Sequence, residues 1–223
     1  MNNKLFFEAL FKFVLGMVLV GLLIYIPAGT FNYFNGHLLM GILFVPMFIA
    51  GIIMMIKNPG LLKSRLESKE KLKKQDIVIK LSGLMFIAGF ILAGLDFRYK
   101  WIVISPLVSH IAALVFLLAY FMWAEVLREN TYLSRTIKVV DGQTVIDKGL
   151  YRVVRHPMYT ASLILFLSMP LVLGSLVSFF VFLLYPILIS IRIVSEEKYL
   201  EKELTGYTEY KKKVKYRLIP FIW

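Results

Sequence analysis

The 223-residue chain is 59% hydrophobic and 18% charged, with a mean hydropathy of +0.73. Soluble domains are about half apolar and about a quarter charged, so this composition excludes an ordinary soluble protein and indicates an integral membrane protein. The net charge of +12 would suggest nucleic acid in a soluble protein, but in a membrane protein Lys and Arg mark cytoplasmic loops that contact anionic lipid, so no nucleic-acid partner is predicted.

Four long apolar blocks predict four membrane-spanning helices, at residues 6–26, 37–56, 77–95 and 101–127. The turn between the first two blocks carries no charge, so these blocks are expected to form a hairpin. The stretch 57–76 holds seven Lys or Arg against three acids, which predicts a basic loop or an interfacial amphipathic helix. A short turn at 96–100 is expected to separate the third and fourth helices.

The second half of the chain begins with its longest interior polar stretch, residues 128–158. Residues 159–193 are then almost wholly apolar, and this run is too long for one helix across a hydrocarbon core of about 30 Å. Pro170 and the pair Gly174-Ser175 interrupt it, so two helices are predicted, forming an apolar hairpin that need not cross the whole bilayer. The tail after Ser195 is expected to start as a charged helix.

The distribution of basic residues predicts the orientation. Only Arg98 and Lys100 of the 26 basic residues fall on the side opposite both termini. By the positive-inside rule both termini and the polar loops are cytoplasmic. The predicted fold is therefore an all-α, polytopic membrane helix bundle with four spanning helices plus a C-terminal apolar helical hairpin, which gives five to six transmembrane segments, and a cytoplasmic C-terminal helix.

Two polar clusters bracket the apolar hairpin and are expected to meet at the cytoplasmic face. In the first, His156 precedes Pro157, and proline is favoured in the first turn of a helix. The free N–H groups and the dipole of such a helix start favour a negative group, such as a ligand carboxylate. A contact with lipid phosphate is the plainer alternative. The flanking Tyr151 and Tyr159 suit either interfacial anchors or the wall of a flat or cationic ligand site.

The second cluster consists of Arg192, Glu196 and Glu197. Arg192 lies in the tail of an apolar run, where a charge is costly and often functional. Glu196 shares its helix face, whereas neighbouring positions face about 100° apart, so only one glutamate is expected to point into a site. A surface ion pair is the alternative interpretation. No metal centre is predicted, because the chain has no cysteine and its three histidines are widely spaced.

These residues form one ordered pattern: Gly149-x-Tyr151-x-x-x-Arg155-His156-Pro157-x-Tyr159, then Arg192-x-x-x-Glu196-Glu197-x-x-Leu200, then Gly206-x-x-x-Tyr210 and Pro220. Over about residues 120–223 the pattern resembles the isoprenylcysteine carboxyl methyltransferase family, and membrane phospholipid methyltransferases share it. Membrane sterol reductases carry a string similar to Arg-His-Pro-x-Tyr alone. The resemblance divides the chain into N-terminal scaffold helices, residues 1–119, and a methyltransferase region, residues 120–223.

The resemblance implies an enzyme that uses S-adenosylmethionine and releases S-adenosylhomocysteine. It implies that the cofactor pocket contains Tyr151, His156, Pro157, Met158, Tyr159 and Glu196. It further implies a lid strand over the cofactor, formed by Gln143, Thr144, Val145 and Ile146. Arg192 takes the position that orients the methyl acceptor, for which a carboxylate such as an isoprenylcysteine-type C-terminus is favoured. No glycine-rich dinucleotide fingerprint is present, so a soluble-type methyltransferase fold is not implied.

A lipophilic small molecule or lipidated acceptor is expected to enter from the bilayer, and the cofactor from the cytosol. Membrane lipids are the other expected partners, and the sequence gives no indication of the oligomeric state. Three alternatives stay open: a phospholipid amine N-methyltransferase, an NADPH-dependent membrane reductase resembling the sterol reductases, and a non-enzymatic membrane adaptor.

Overall fold

A computed structural model describes residues 3–67 and 73–223. In these residues the chain forms helices and irregular loops and no strand, which confirms the predicted all-α class. The helices are α1 (Asn3–Ala28), α2 (Phe34–Lys57), α3 (Pro59–Leu66), α4 (Lys73–Tyr99), α5 (Pro106–Glu129), α6 (Pro157–Val172), α7 (Leu176–Phe182), α8 (Tyr185–Glu203) and α9 (Tyr207–Lys213). A 3-10 turn, Gly149–Arg152, precedes α6.

The apolar helices confirm a polytopic membrane bundle. Helices α1, α2, α4 and α5 are long and apolar enough to cross a membrane, and so is the Leu176–Glu203 segment that contains α7 and α8. Helix α6 has 16 residues, a length of about 24 Å, which is shorter than a hydrocarbon core of about 30 Å. The described chain therefore has five helical segments that can span the membrane and a sixth that is too short to do so unaided.

The predicted turn at 96–100 is misplaced, because α4 continues through Asp96 to Tyr99. The Asp96 carboxylate is buried and accepts hydrogen bonds from the Ile102 amide at 3.0 Å and from the Ser175 hydroxyl at 2.5 Å. These bonds stabilise the buried carboxylate. The sequence pattern predicts a turn at Asp96 because a charged residue is usually exposed to solvent. The turn itself lies at residues 100–105.

The predicted apolar hairpin over residues 159–193 forms from α6 and the Leu176–Glu203 segment, but a break divides the second segment into α7 and α8. Helix α6 ends near Gly174, whose φ of +79° belongs to the left-handed region. Helix α7 then ends at Phe182, four residues before Pro186. A proline has no N–H to bond the carbonyl four residues earlier, and its ring displaces that carbonyl, so the helix breaks and α8 begins at Tyr185.

Helix α4 is central to the bundle and packs against α1, α7 and α8, while α5 packs along α6. The α1–α4 contact is close at Gly94, where an added Cβ atom would lie 2.5 Å from the Ile24 carbonyl oxygen. At the same end of the bundle the Tyr33 hydroxyl donates to the Leu173 carbonyl at 2.5 Å.

The last ten residues fold back onto the start of α6. The amides of Arg155 and His156 each donate at 2.9 Å, to the carbonyls of Tyr216 and Arg217. The Thr160 hydroxyl donates to the Leu218 carbonyl at 2.7 Å. The loop before α6, which carries the first polar cluster of the sequence, is thus held against the C-terminal segment.

Candidate functional site

A cavity of about 440 Å³ opens at the end of the bundle where the polar loops meet. Its floor is aromatic: the Phe166 ring lies 4.7 Å, centroid to centroid, from the rings of Phe86 and Tyr185, with edge-to-face geometry in both pairs. Phe182 lies behind this floor, fully buried, 5.2 Å from the Phe86 ring. The cavity therefore has an apolar bottom inside the bundle and a polar mouth among the loops.

The structure brings together every predicted site residue except Pro157. The residues that line the cavity are Gln143, Thr144, Val145, Ile146, Tyr151, His156, Met158, Tyr159, Arg192 and Glu196. Pro157 is buried at the first turn of α6 and does not line the cavity. Its place in the pattern is explained by helix initiation, because a first-turn N–H would have no helical partner.

Arg192 and Glu196 are connected through the hydroxyl of Tyr159. The Arg192 Nε donates to that hydroxyl at 2.9 Å, and the hydroxyl in turn donates to the Glu196 carboxylate. Arg192 also donates to the Arg135 carbonyl at 2.8 Å. The arrangement places a guanidinium, a phenol and a carboxylate side by side on the cavity wall, in the part of α8 that enters the polar end.

Glu197, one residue further on, does not line the cavity and is 3% exposed. Its Oε1 accepts from Arg155 Nε at 2.6 Å and lies 3.2 Å from His156 Nε2, and its Oε2 accepts from Arg217 Nε at 2.9 Å. One carboxylate therefore joins α8, the entrance of α6 and the C-terminal segment. Of the two adjacent glutamates, Glu196 faces the cavity and Glu197 holds the surrounding structure together.

The predicted lid strand is not formed. Residues 143–146 are irregular and belong to no strand. Val145 packs on an apolar cluster that joins the loop to α8 and α9 and contains Leu204 and Tyr207. The segment lines the cavity and is held there by this packing and not by a backbone ladder.

Gly149 is required by the turn that positions Tyr151. Its φ is +56°, and an added Cβ atom would lie 1.5 Å from an oxygen of Glu129. That carboxylate accepts from the Leu150 amide at 3.0 and 3.1 Å. The Tyr151 carbonyl accepts from the Tyr210 hydroxyl at 2.7 Å. Gly149 and Tyr210 of the sequence pattern thus serve the placement of Tyr151, which lines the cavity.

The cavity residues that the sequence analysis did not predict include Arg65, Arg135 and Tyr207. Tyr207 is buried, and its hydroxyl has no hydrogen-bond partner in the described part of the chain. Burial raises the pKa of this hydroxyl far above its usual range, so it remains a protonated donor. The Gly206-x-x-x-Tyr210 spacing marks this helix start, but nothing in it distinguishes Tyr207. Arg65 comes from a basic stretch expected to be solvated.

Comparison with known proteins finds a family match over the segment that carries part of the site. Residues 110–202 match the isoprenylcysteine carboxyl methyltransferase (ICMT) family, which confirms the resemblance predicted from the sequence. Over 91 residues the chain is 34% identical to the Delta(14)-sterol reductase TM7SF2 of Mus musculus. That match covers 40% of this chain and 22% of the reductase, so the chain spans about a fifth of the length of this curated relative.

Proposed function

Because residues 110–202 match the ICMT family, we propose that the chain is an integral membrane methyltransferase that uses S-adenosylmethionine. The supporting observation is the hydrogen-bonded set of Arg192, Tyr159 and Glu196, which lies within the matched segment and on the wall of one cavity. The favoured acceptor is lipophilic and carries a carboxylate, as in an isoprenylcysteine-type C-terminus.

The cavity fits the proposed donor. Its volume of about 440 Å³ lies in the usual range for small-molecule sites, about 300–1,000 Å³. The Glu196 carboxylate suits a cationic group, and the rings of Tyr151 and Tyr159 suit a cation or a flat base. The buried Tyr207 hydroxyl lacks a protein partner and so offers a hydrogen bond to a ligand. When bound, the donor supplies a methyl group on a sulfonium, ready for in-line displacement.

The protein's own task in such a reaction is placement. The Arg192 guanidinium is suited to orient an acceptor carboxylate by paired hydrogen bonds. When the donor and the acceptor are bound in line, their reaction becomes effectively unimolecular and no longer depends on a chance encounter. The aromatic floor of Phe86, Phe166 and Tyr185 keeps water from the acceptor's apolar part. A carboxylate is already deprotonated, so this chemistry needs no general base.

An amine acceptor would need a general base to remove its proton. The side chains that could serve as this base already contact other side chains. Glu196 accepts from the Tyr159 hydroxyl, and His156 Nε2 lies 3.2 Å from Glu197. This favours carboxyl O-methylation over the alternative of phospholipid amine N-methylation. The proposed topology puts both termini and the cavity mouth on the cytoplasmic side, with residues 1–119 as scaffold. The donor then enters from the cytosol and the acceptor from the bilayer.

A second candidate function rests on the match to the sterol reductase. The identity is 34% over 91 residues, and basic residues such as Arg65, Arg135 and Lys138 line the cavity, where they suit the extra phosphate of NADPH. A reductase would bind NADPH in place of the methyl donor. A membrane adaptor, the non-enzymatic alternative, would bind neither.

Calorimetric titration of S-adenosylhomocysteine into detergent-purified protein tests the proposal. We expect binding in the wild type and its loss in Glu196→Ala, with Glu201→Ala as the control, because Glu201 is exposed and pairs with Lys211 outside the cavity. NADPH is titrated in parallel. Folded protein that binds NADPH and not S-adenosylhomocysteine would establish the reductase instead, and folded protein that binds neither would favour the adaptor.

A further inference from the structure

One wall of the cavity is built by a helix outside the segment that matches the family. Arg65, on α3, lines the cavity, with its guanidinium carbon 5.4 Å from the centroid of the Trp123 ring. The Ser64 carbonyl accepts from the Arg135 amide and the Ser134 hydroxyl, both at 3.4 Å. These contacts tie α3 to the loop that follows α5 and place Arg65 and Arg135 on the same cavity.

The cavity wall carries an excess of positive charge. Among the described residues its basic side chains are Arg65, Arg135, Lys138, Arg155 and Arg192, and its one carboxylate is Glu196. Lys138 pairs with Glu67 at 2.6 Å, and Arg155 pairs with Glu197. Neither Arg65 nor Arg135 makes an ion pair with any residue in the described ranges. Within the part of the chain that the structure describes, two guanidinium groups thus line the cavity without a carboxylate paired to either of them.

Arg65 is also partly removed from water. Burial lowers the pKa of its guanidinium, and the nearby charges of Arg135 and Arg192 lower it further, although the Tyr159 phenol opposes them. Arginine nevertheless remains charged in proteins. A desolvated cation beside two others is stabilised by an anion that hydrogen-bonds to it, and residues 3–67 and 73–223 provide no carboxylate that pairs with Arg65.

We propose that Arg65 and Arg135 form an oxyanion subsite in the cavity that binds the phosphate or carboxylate head group of an amphiphilic acceptor. This inference rests on the proposed function and specifies that the acceptor is an amphiphile with an anionic head group. An acceptor with a neutral or cationic head group leaves the two guanidiniums unpaired and is rejected. The apolar chain of the acceptor lies toward Phe86 and Phe166 at the floor, and the subsite selects its head group by charge.

The test measures binding of hexyl phosphate and hexanoate to the purified full chain in a neutral detergent. Inorganic phosphate distinguishes recognition of the head group alone from recognition of an amphiphile, and hexyltrimethylammonium is the cationic comparison. We expect Arg65→Gln and Arg135→Gln each to weaken binding of the anionic amphiphiles about tenfold, the effect of losing one charge-assisted hydrogen bond. Arg65→Lys should recover part of the affinity, because an ammonium keeps the charge but loses the planar fork.

Lys63→Gln is the matched control, since Lys63 is exposed on the same helix and does not line the cavity. Equal weakening by Lys63→Gln would overturn the subsite in favour of general surface charge, as would unchanged binding in both arginine variants. If Arg65→Gln does not fold, the exposed Arg135 decides the question alone. Binding of S-adenosylhomocysteine is measured in each variant: it should be retained, so loss of the subsite and failure of the methyltransferase proposal give different results.

Discussion

Glu196 and Glu197 are adjacent in the sequence and lie in different surroundings. Glu196 meets the Tyr159 hydroxyl on the cavity wall, whereas Glu197 is enclosed by Arg155, His156 and Arg217. The separation follows from the helix, because neighbouring positions point about 100° apart. A substitution of Glu196 should therefore weaken ligand binding, whereas a substitution of Glu197 should lower the stability of the fold.

Glu197→Gln should lower the free energy of unfolding by about 3 kcal/mol, because it leaves the buried Arg155 charge without its carboxylate. Thermal or denaturant unfolding in detergent measures this loss. Glu201→Gln, which breaks a solvent-accessible pair with Lys211, should change stability little. Equal stability of the Glu197→Gln protein and the wild type would show that the three basic neighbours do not depend on this carboxylate.

Tyr207→Phe should weaken binding of S-adenosylhomocysteine several-fold without loss of thermal stability. The substituted hydroxyl is buried and has no partner in the described chain, so its removal costs the unliganded protein no hydrogen bond. Tyr210→Phe is the contrasting variant, because its hydroxyl donates to the Tyr151 carbonyl and its loss should cost about 1 kcal/mol of stability. Full ligand affinity in Tyr207→Phe would remove this residue from the site.

Sequence reasoning reached the residues of the site that lie in one short pattern. Tyr151, His156 and Tyr159 are recognisable because spacing and order are preserved along the chain. Arg65 and Tyr207 are not recognisable, since one depends on how α3 packs against a distant loop and the other on a glycine with φ of +86° before α9. The positions of these two side chains at the cavity depend on tertiary packing, which no local sequence pattern encodes.

Helices α1 and α4 are in close contact at a single small residue, Gly94. Gly94→Ala should destabilise the protein by about 1–3 kcal/mol, because the new methyl group would lie within 2.5–3.0 Å of α1 backbone and Pro27 atoms. Gly41→Ala, on α2 with nothing within 4 Å of the added atom, should be neutral or mildly stabilising. Unfolding curves measure the stability of the two variants. Equal stability would show that α1 moves away from the new methyl group without loss of free energy of unfolding.

The apolar runs of the sequence predict where the long helices lie, but they do not predict where those helices end or break. The long helices α1, α2, α4 and α5 match blocks that composition alone separates. The ends of α4 and α7 depended on two details: a buried Asp96 that lengthens one helix, and Pro186 that breaks the other. A hydropathy pattern registers neither a carboxylate that finds partners inside the bundle nor the position of a lost backbone hydrogen bond.

At the scale of the molecule, the proposed sidedness is testable because the chain contains no cysteine. Asp141→Cys places a single thiol in an exposed turn at the cavity end, and Asn32→Cys places one in the exposed turn after α1, at the opposite end. We expect a membrane-impermeant maleimide to label Cys at 32 in intact cells and Cys at 141 only in inverted vesicles. The reverse labelling would invert the topology.

The aromatic floor closes the cavity at its inner end. In the described chain the rings of Phe86, Phe166 and Tyr185, with Phe182 behind them, close its inner end. The lining residues of α4 run from Val78 to Phe86, a depth of about 12 Å, less than half of the hydrocarbon core. Under the proposed function, a molecule that enters the cavity leaves into the same leaflet or the same aqueous face, so the reaction would change the molecule without moving it across the membrane.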